Sequence, residues 1–483
     1  MKSNFNYKNI AIVLCIYIFP FVSVYSQSDS LTNYLEIAAK NNPTVLQRYN
    51  EYRASVQKVP QVSGLPDPQL EVGVFLSPME LIAGNQVADI KLMQMFPWFG
   101  VLKNAKDEMS LMANARFELF RDAKLQVFYD LQRAWFDLFK VRQNIRISEK
   151  NTDLLKTIDR LTIVKFKSGS FTGSASSSEN KMPGSKASAI SSGSTGMNSM
   201  GGISGASVSP SVSQISSVPM GSSAGGTGLV DVYQIQIELA DLENNIVSLK
   251  NEEQVVVARF NSLLNRSQKT PVTGTVILPA ELLDSSYLSL SDSIFRRNPM
   301  LVMLQFEQQS LDARKKMQKQ MGFPMVGAGV NYSVINKSVM STSPMNGKDM
   351  IMPMITLTLP VYRKKYKAMQ IETGFLKTAS EQNYQATSNS LQTDYYEALQ
   401  LYSDAQRRMK LFESQSQLAK KALDIRIKTF STSNTNLTDI LRIRQQLFDY
   451  ELKQIEALTD CNKAVAWIKR LTAFYVNTNN VKK

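Results

Sequence analysis

The sequence predicts a mostly α-helical chain that also carries part of a membrane β-barrel. Three features point there: a long internal duplication, proline-free stretches that allow very long helices, and four strand-length segments of about ten residues, three of them with clear period-two hydrophobicity. Each half is read as helix, strand hairpin, long helix and helix, giving four strands per chain.

The duplication comes first. Asn41-Asn42-Pro43 returns as Arg297-Asn298-Pro299, and Met95-Phe96-Pro97-Trp98 returns as Thr358-Leu359-Pro360-Val361 at an offset of 263. Asp130, Ala134, Leu154, Ile163 and Phe166 return as Asp394, Ala398, Leu418, Ile427 and Phe430 at an offset of 264. Then Thr227 and Leu229-Val230-Asp231-Val232 return as Thr435 and Leu437-Thr438-Asp439-Ile440 at an offset of only 208. The first copy therefore holds about 56 residues, 171–226, that the second lacks. We read 27–270 as the first repeat, 271–289 as a linker, 290–476 as the second repeat and 477–483 as a tail.

Residues 1–26 read as a secretory signal peptide. Lys2 and Lys8 form a basic start, Ile10 to Val24 is apolar but too short to span a bilayer, and Ser26-Gln27 is a cleavage site. Leu14 before Cys15 argues against a lipoprotein signal, where a small residue is expected. Cleavage leaves Cys461 as the sole cysteine, read as a buried small apolar residue in a helix.

No proline occurs between Trp98 and Met182, or from Val361 onward, so long helices are expected over about 100–166 and 362–430. Leu131, Trp135, Leu138 and Ile145 keep the spacing of a packed helix face. Such rods are on the order of 100 Å long. Shorter helices are expected at about 31–59 and 229–265 in the first copy and 290–321 and 437–474 in the second. The first two sum to about the length of the long helix, so they are expected to stack end to end beside it.

Strands are expected at about 69–77, 87–96, 325–334 and 350–359. Leu70, Val72, Val74 and Leu76 alternate with more polar residues, as do Val326, Val330, Leu357 and Leu359. We assign these eight to a lipid-facing side. The segment 87–96 alternates poorly. Four strands cannot close a barrel, and open edges are not tolerated in lipid, so the chain must oligomerise. Two copies would supply eight strands and three would supply twelve; only the latter leaves a passage.

Composition excludes much else. The chain has no histidine, which removes the commonest general base and transition-metal ligand. No phosphate-binding loop, nucleophile elbow or zinc spacing is present, so no enzyme activity, cofactor or metal centre is expected. The net charge of +14 is spread over helices with interleaved acids, which fits solvated faces and not nucleic-acid binding.

The arrangement resembles the TolC family of outer-membrane efflux proteins. The resemblance rests on the repeated Asn42-Pro43 and Asn298-Pro299, on Phe96-Pro97-Trp98-Phe99-Gly100, and on the helix starts around Asp231 and Asp439. Leu65-Pro66-Asp67-Pro68 is similar to the heavy-metal (copper and silver) branch. The resemblance covers most of the mature chain. It implies a homotrimer, a twelve-stranded barrel in the outer membrane of a Gram-negative bacterium, and an α-helical tunnel across the periplasm. It also implies a periplasmic adaptor (membrane fusion protein) and an inner-membrane pump, of RND type, as partners.

Candidate functional residues follow. By the resemblance, Asp439 narrows the pore at the periplasmic tip, where three-fold symmetry gathers three carboxylates. The alternative is a helix-start aspartate favoured by the dipole. Where the family often has a second acid, this chain has Arg442, which could pair with Asp439. Asp231 holds the equivalent place in the first copy, with the structural reading preferred. The insertion is rich in Ser and Gly and is expected to be disordered. Its Met182, Met197, Met200 and Met220 are candidate soft-metal ligands, although chance accounts for their number. Arg314, Lys315, Lys316, Lys319, Arg363, Lys364, Lys365 and Lys367 should meet at one barrel end, either as solvated surface or against anionic headgroups.

Overall fold

The computed structural model describes residues 31–167, 228–273, 278–283, 297–432 and 436–473. The expected signal peptide, the insertion 171–226 with its four methionines, and the tail lie outside these residues.

The expected first helix is in fact two, α1 (Leu31–Asn41) and α2 (Pro43–Ser63). The break has a local cause. Asn42 precedes a proline, which disfavours helical backbone, and it is extended at φ −65° and ψ 125°. Its side chain then caps α2, accepting from Thr44 N at 2.9 Å and Val45 N at 3.3 Å. A strand hairpin follows, β1 (Gln69–Leu81) and β2 (Gly84–Phe96). Then come α3 (Val101–Lys167) and α4 (Gly228–Leu263). The second copy supplies α5 (Pro299–Gln320), β3 (Met325–Asn336), β4 (Met350–Thr358), α6 (Arg363–Thr432) and α7 (Leu437–Leu471).

α3 has 67 residues and α6 has 70, so each is about 100 Å long at 1.5 Å per residue. On α3, Leu131, Ala134, Leu138, Val141 and Ile145 are buried at alternating steps of three and four, the seam of a coiled coil. The stacked short helices are shorter than the rod beside them. α2 has 21 residues and α4 has 36 against 67, because α1 splits off to pack separately on α2 and α3.

The rods have a definite lateral order. α3 packs against α2 and α4 on one side and against α5 and α7 on the other; α6 packs against α5 and α7. The sequence of layers is thus α2/α4, α3, α5/α7, α6. The sheet repeats it: strand order is β1-β2-β3-β4, all antiparallel, with β2 of one copy joined to β3 of the other. Among the described residues, β1 and β4 each have one strand partner, so both outer edges are open.

Burial is divided among three apolar clusters along the rods, as their length requires. One surrounds Trp135 on α3 with Tyr34, Val45 and Phe260. A second joins Leu155, Ile235, Leu423, Ile440 and Phe448 towards the helix ends remote from the sheet. The third joins Tyr395, Ala398 and Tyr402 of α6 to Cys461, Val465 and Ile468 of α7. Cys461 is fully buried, and burial pushes its thiol up to about 11.

No described helix is long and apolar enough to cross a membrane.

Candidate functional site

Two regions hold the residues that the sequence singles out: the sheet, and the turn between the long helices at the far end.

The strand register sorts the sheet into two faces. Leu70 pairs with Leu92 and Val72 with Ile90; Leu92 pairs with Val330 and Phe96 with Val326; Val326 pairs with Leu357. All these side chains are on one face and all are exposed. Two of the predicted eight depart from this register. Leu76 lies where the β1–β2 pairing shifts between Val74 and Met79; Pro78, which lacks an N–H, interrupts the ladder there. Leu359 lies beyond β4, in a tight turn where Val361 N donates to its carbonyl at 3.0 Å.

The opposite face carries Gln69, Glu71, Asp89, Lys91, Asn331, Ser333, Thr356 and Thr358, with Lys91 and Glu71 paired across strands at 3.5 Å. It also carries methionines, which the period-two reading did not anticipate. Met93 and Met95 on this face explain why 87–96 alternates poorly in sequence.

At the base of the sheet Trp98 stacks on Phe323 at 5.4 Å between ring centroids, and Phe99 and Tyr362 are exposed. Gly100 makes the turn into α3 at φ +85°, a backbone conformation that favours glycine, with the Gln320 amide close against it. Because Met325 pairs with Thr358, the basic groups 314–319 and 363–367 do meet at this end.

At the far end, Asn436 caps α7 by accepting from Thr438 N at 3.2 Å. Asp439 follows in the first turn. Its carboxylate is 3.6 Å from Arg442 Nη2 and 3.9 Å from Arg426 Nη2. Arg442, expected as a possible partner, therefore is one, and α6 adds a second cation. Asp231 sits half-buried in the first turn of α4, and burial raises its carboxyl above the ordinary value.

One residue of this region is missed by sequence reasoning. Arg444 is 4% exposed and ion-paired with Glu238 of α4. Burial lowers its pKa and Glu238 opposes the shift. Its signal is visible in retrospect. Leu437, Leu441, Arg444 and Phe448 step by four, three and four, so an arginine occupies an apolar seam position. The pair ties the tip of one copy to the tip of the other.

No protein-family model and no curated protein matches the sequence. Solved structures do. CusC, in a study of folding and transmembrane channel formation, matches at 11% identity and TM-score 0.68 over 92% of this chain and 91% of that one. The outer membrane protein VceC from Vibrio cholerae matches at 11% identity and TM-score 0.66 over 92% of this chain and 95% of that one. The open state of the Neisseria gonorrhoeae MtrE outer membrane channel matches at 12% identity and TM-score 0.65 over 92% and 88%. The chain has the fold of outer-membrane channels, as its resemblance to the TolC family implies.

Proposed function

We propose that the chain is the outer-membrane exit duct of a tripartite efflux system, built as a homotrimer in a Gram-negative envelope. One observation carries this reading: the helical layers and the sheet are open at the same two sides. The α2/α4 stack and β1 lie at one side, α6 and β4 at the other. The pseudo-repeat means that α6 needs an α2/α4-like stack, and β4 needs a β1-like strand. Both needs are met by the next copy in a head-to-tail ring. Exposed apolar residues sit where those contacts would form: Phe375, Leu411, Leu418 and Ile425 on α6, and Tyr49, Ile237, Val247 and Val255 on α2 and α4.

Closure removes the open edges that lipid does not tolerate. Three copies give about twelve strands, enough to leave a passage. The exposed apolar face then meets outer-membrane lipid, the polar face lines the lumen, and the rods form a periplasmic tunnel. The tip with Asp439, Arg442 and Asp231 becomes the pore constriction, facing a periplasmic adaptor and an inner-membrane pump of RND type. Cargo of small molecules or metal ions passes without chemistry, and the pump supplies the energy.

Planar-bilayer recording on purified, crosslink-verified oligomer tests the reading. Stepwise ion conductance is expected. A trimer that never inserts or conducts points instead to a periplasmic coiled-coil scaffold. A trimer that conducts, in a strain whose deletion impairs secretion of a protein but no small-molecule or metal tolerance, points to the exit channel of a protein secretion system.

A further inference from the structure

We propose that the polar face of the sheet is a binding surface for soft monovalent metal ions, centred on the thioethers of Met93, Met95 and Met354. The inference rests on the duct reading for the direction of that face, and gives the duct a substrate class.

The distribution of methionine is the first observation. Over the regularly paired register, from Gln69–Val74 through Ala88–Phe96 and Met325–Val334 to Met350–Thr358, the polar face holds 17 residues, of which six are methionine: Met93, Met95, Met325, Met350, Met352 and Met354. The apolar face over the same register holds none, being built of Leu, Val, Ile, Ala, Phe, Tyr, Pro and one Gln. If methionine served only as apolar filler, it would belong on the face that meets lipid. A lumen-facing side selects polar residues, and a thioether there is the soft donor among otherwise hard ones.

Geometry is the second. Gly329 lies between Met93 on β2 and Met354 on β4 in one cross-strand row, and Gly327 lies between Met95 and Thr356 in the next. The two glycines leave room above the backbone that methionine side chains occupy, and Met93 is 7% exposed there. The Met95 and Met93 sulfurs reach over the backbone, 2.6 and 3.3 Å from where a Cβ at residue 327 would stand, and Met93 Sδ is 3.1 Å from the same point at 329. Thr356 Oγ1 donates to Met93 Sδ at 3.6 Å, fixing one sulfur's orientation. Two sulfurs thus converge on one patch, and Met354 flanks Gly329 on the strand opposite Met93. Soft ions such as Ag(I) and Cu(I) accept two or three thioethers. Flexible methionine side chains can close on the ion and release it, as conduction demands.

Silver titration of the full-length trimer in detergent, read by equilibrium dialysis and metal quantification, tests this. The wild type is compared with M93L/M95L/M354L, which keeps volume and removes the sulfurs. The variant is expected to lose at least one bound Ag(I) per chain, whatever the methionines elsewhere contribute, and excess Zn(II) should not displace the ion. Unchanged stoichiometry and affinity overturn the proposal. Should the triple variant not form trimers, M95L alone is expected to weaken binding by roughly tenfold, and equal affinity there overturns it as well. Conductance of the same preparations without silver separates the two readings. Channels that conduct but bind no silver at these sulfurs remove the site and keep the duct; silver bound by a trimer that never conducts does the reverse.

Discussion

Asn42 Nδ2 donates to the carbonyl of Leu263, the last residue of α4, at 2.8 Å. The same side chain caps the start of α2 through its oxygen. Asn298 repeats the arrangement, donating to the carbonyl of Leu471, the last residue of α7, at 3.0 Å while capping α5. One amide therefore joins the end of one short helix to the start of another, and two short helices become one continuous strut beside each long rod. Asparagine is the residue that can do both, since it presents an acceptor and a donor together.

Replacing Asn42 by alanine removes the cap and leaves a helix-end carbonyl without its partner. A loss of roughly 2–3 kcal/mol is expected, read as a lower denaturation midpoint. Asn42→Asp keeps the cap but loses the donor, and it should fall between wild type and N42A. An aspartate variant as stable as wild type would show that the bond to Leu263 contributes nothing.

Arg444 and Glu238 form a joint of a different kind, between the two copies at the tip. Removing the carboxylate with Glu238→Ala strands a guanidinium that is 4% exposed and whose Nε already has no partner. Breaking a buried pair costs roughly 3–5 kcal/mol, and the partial exposure of Glu238 places this one at the lower end. Replacing both by leucine should recover most of the loss. Hydrogen exchange in α4 and α7 reads the effect locally. Protection that is unchanged in E238A would mean that the pair does not hold the tip.

Cys461 offers a direct probe of the α6–α7 packing. It is fully buried in an apolar cluster and its thiol is pushed up to about 11, so the reactive thiolate is scarce at neutral pH. A thiol reagent at pH 8 should leave it unmodified in the folded protein and label it fully in denaturant. Rapid native labelling would contradict the burial.

These joints show what is and is not legible in a single sequence. The rods are legible because α3 and α6 lack proline and repeat apolar residues every three or four positions. The Asn-Pro repeats are visible as motifs, but a hydrogen bond to Leu263 spans 221 positions, and no local pattern encodes its partner. β1 and β3 are readable because apolar residues alternate with polar ones. β2 is not, because Met93 and Met95 place apolar side chains on both faces, and a period-two test counts only polarity. Arg444 escapes for the converse reason: a charge at a seam position is read as an interruption of the pattern until Glu238 is seen beside it. The lateral order of the rods depends on α3 packing on both copies, a tertiary fact.

Asp231 gives a pH dependence with a definite sign. Burial raises its carboxyl above the ordinary value of 3.8, so the folded tip holds this proton more tightly than the unfolded chain does. Stability from this group is full below 3.8 and is lost as pH rises through the raised folded value. Asp231→Asn removes the ionisation. At neutral pH the variant's tip should exchange amide hydrogens more slowly than wild type, and below 3.8 the difference should vanish. Wild type more protected than D231N at neutral pH would indicate that the charged aspartate instead stabilises the helix start.

Asp439 lies between two arginines at the tip. Its carboxylate faces Arg442 on its own helix and Arg426 on α6, so it acts as the shared counter-ion of two arginines. In the proposed trimeric duct three such sets would surround the axis, and an acidic ring alone would overstate the negative field. Asp439→Asn uncovers both arginines and should shift the reversal potential towards anion selectivity. Arg442→Ala should shift it the other way, with a smaller effect because that side chain is largely exposed. Both shifts should fade as salt is raised towards 1 M, where screening acts within about 3 Å. A reversal potential that is the same in wild type, D439N and R442A at low salt would leave Asp439 as a helix-start residue with no part in the pore.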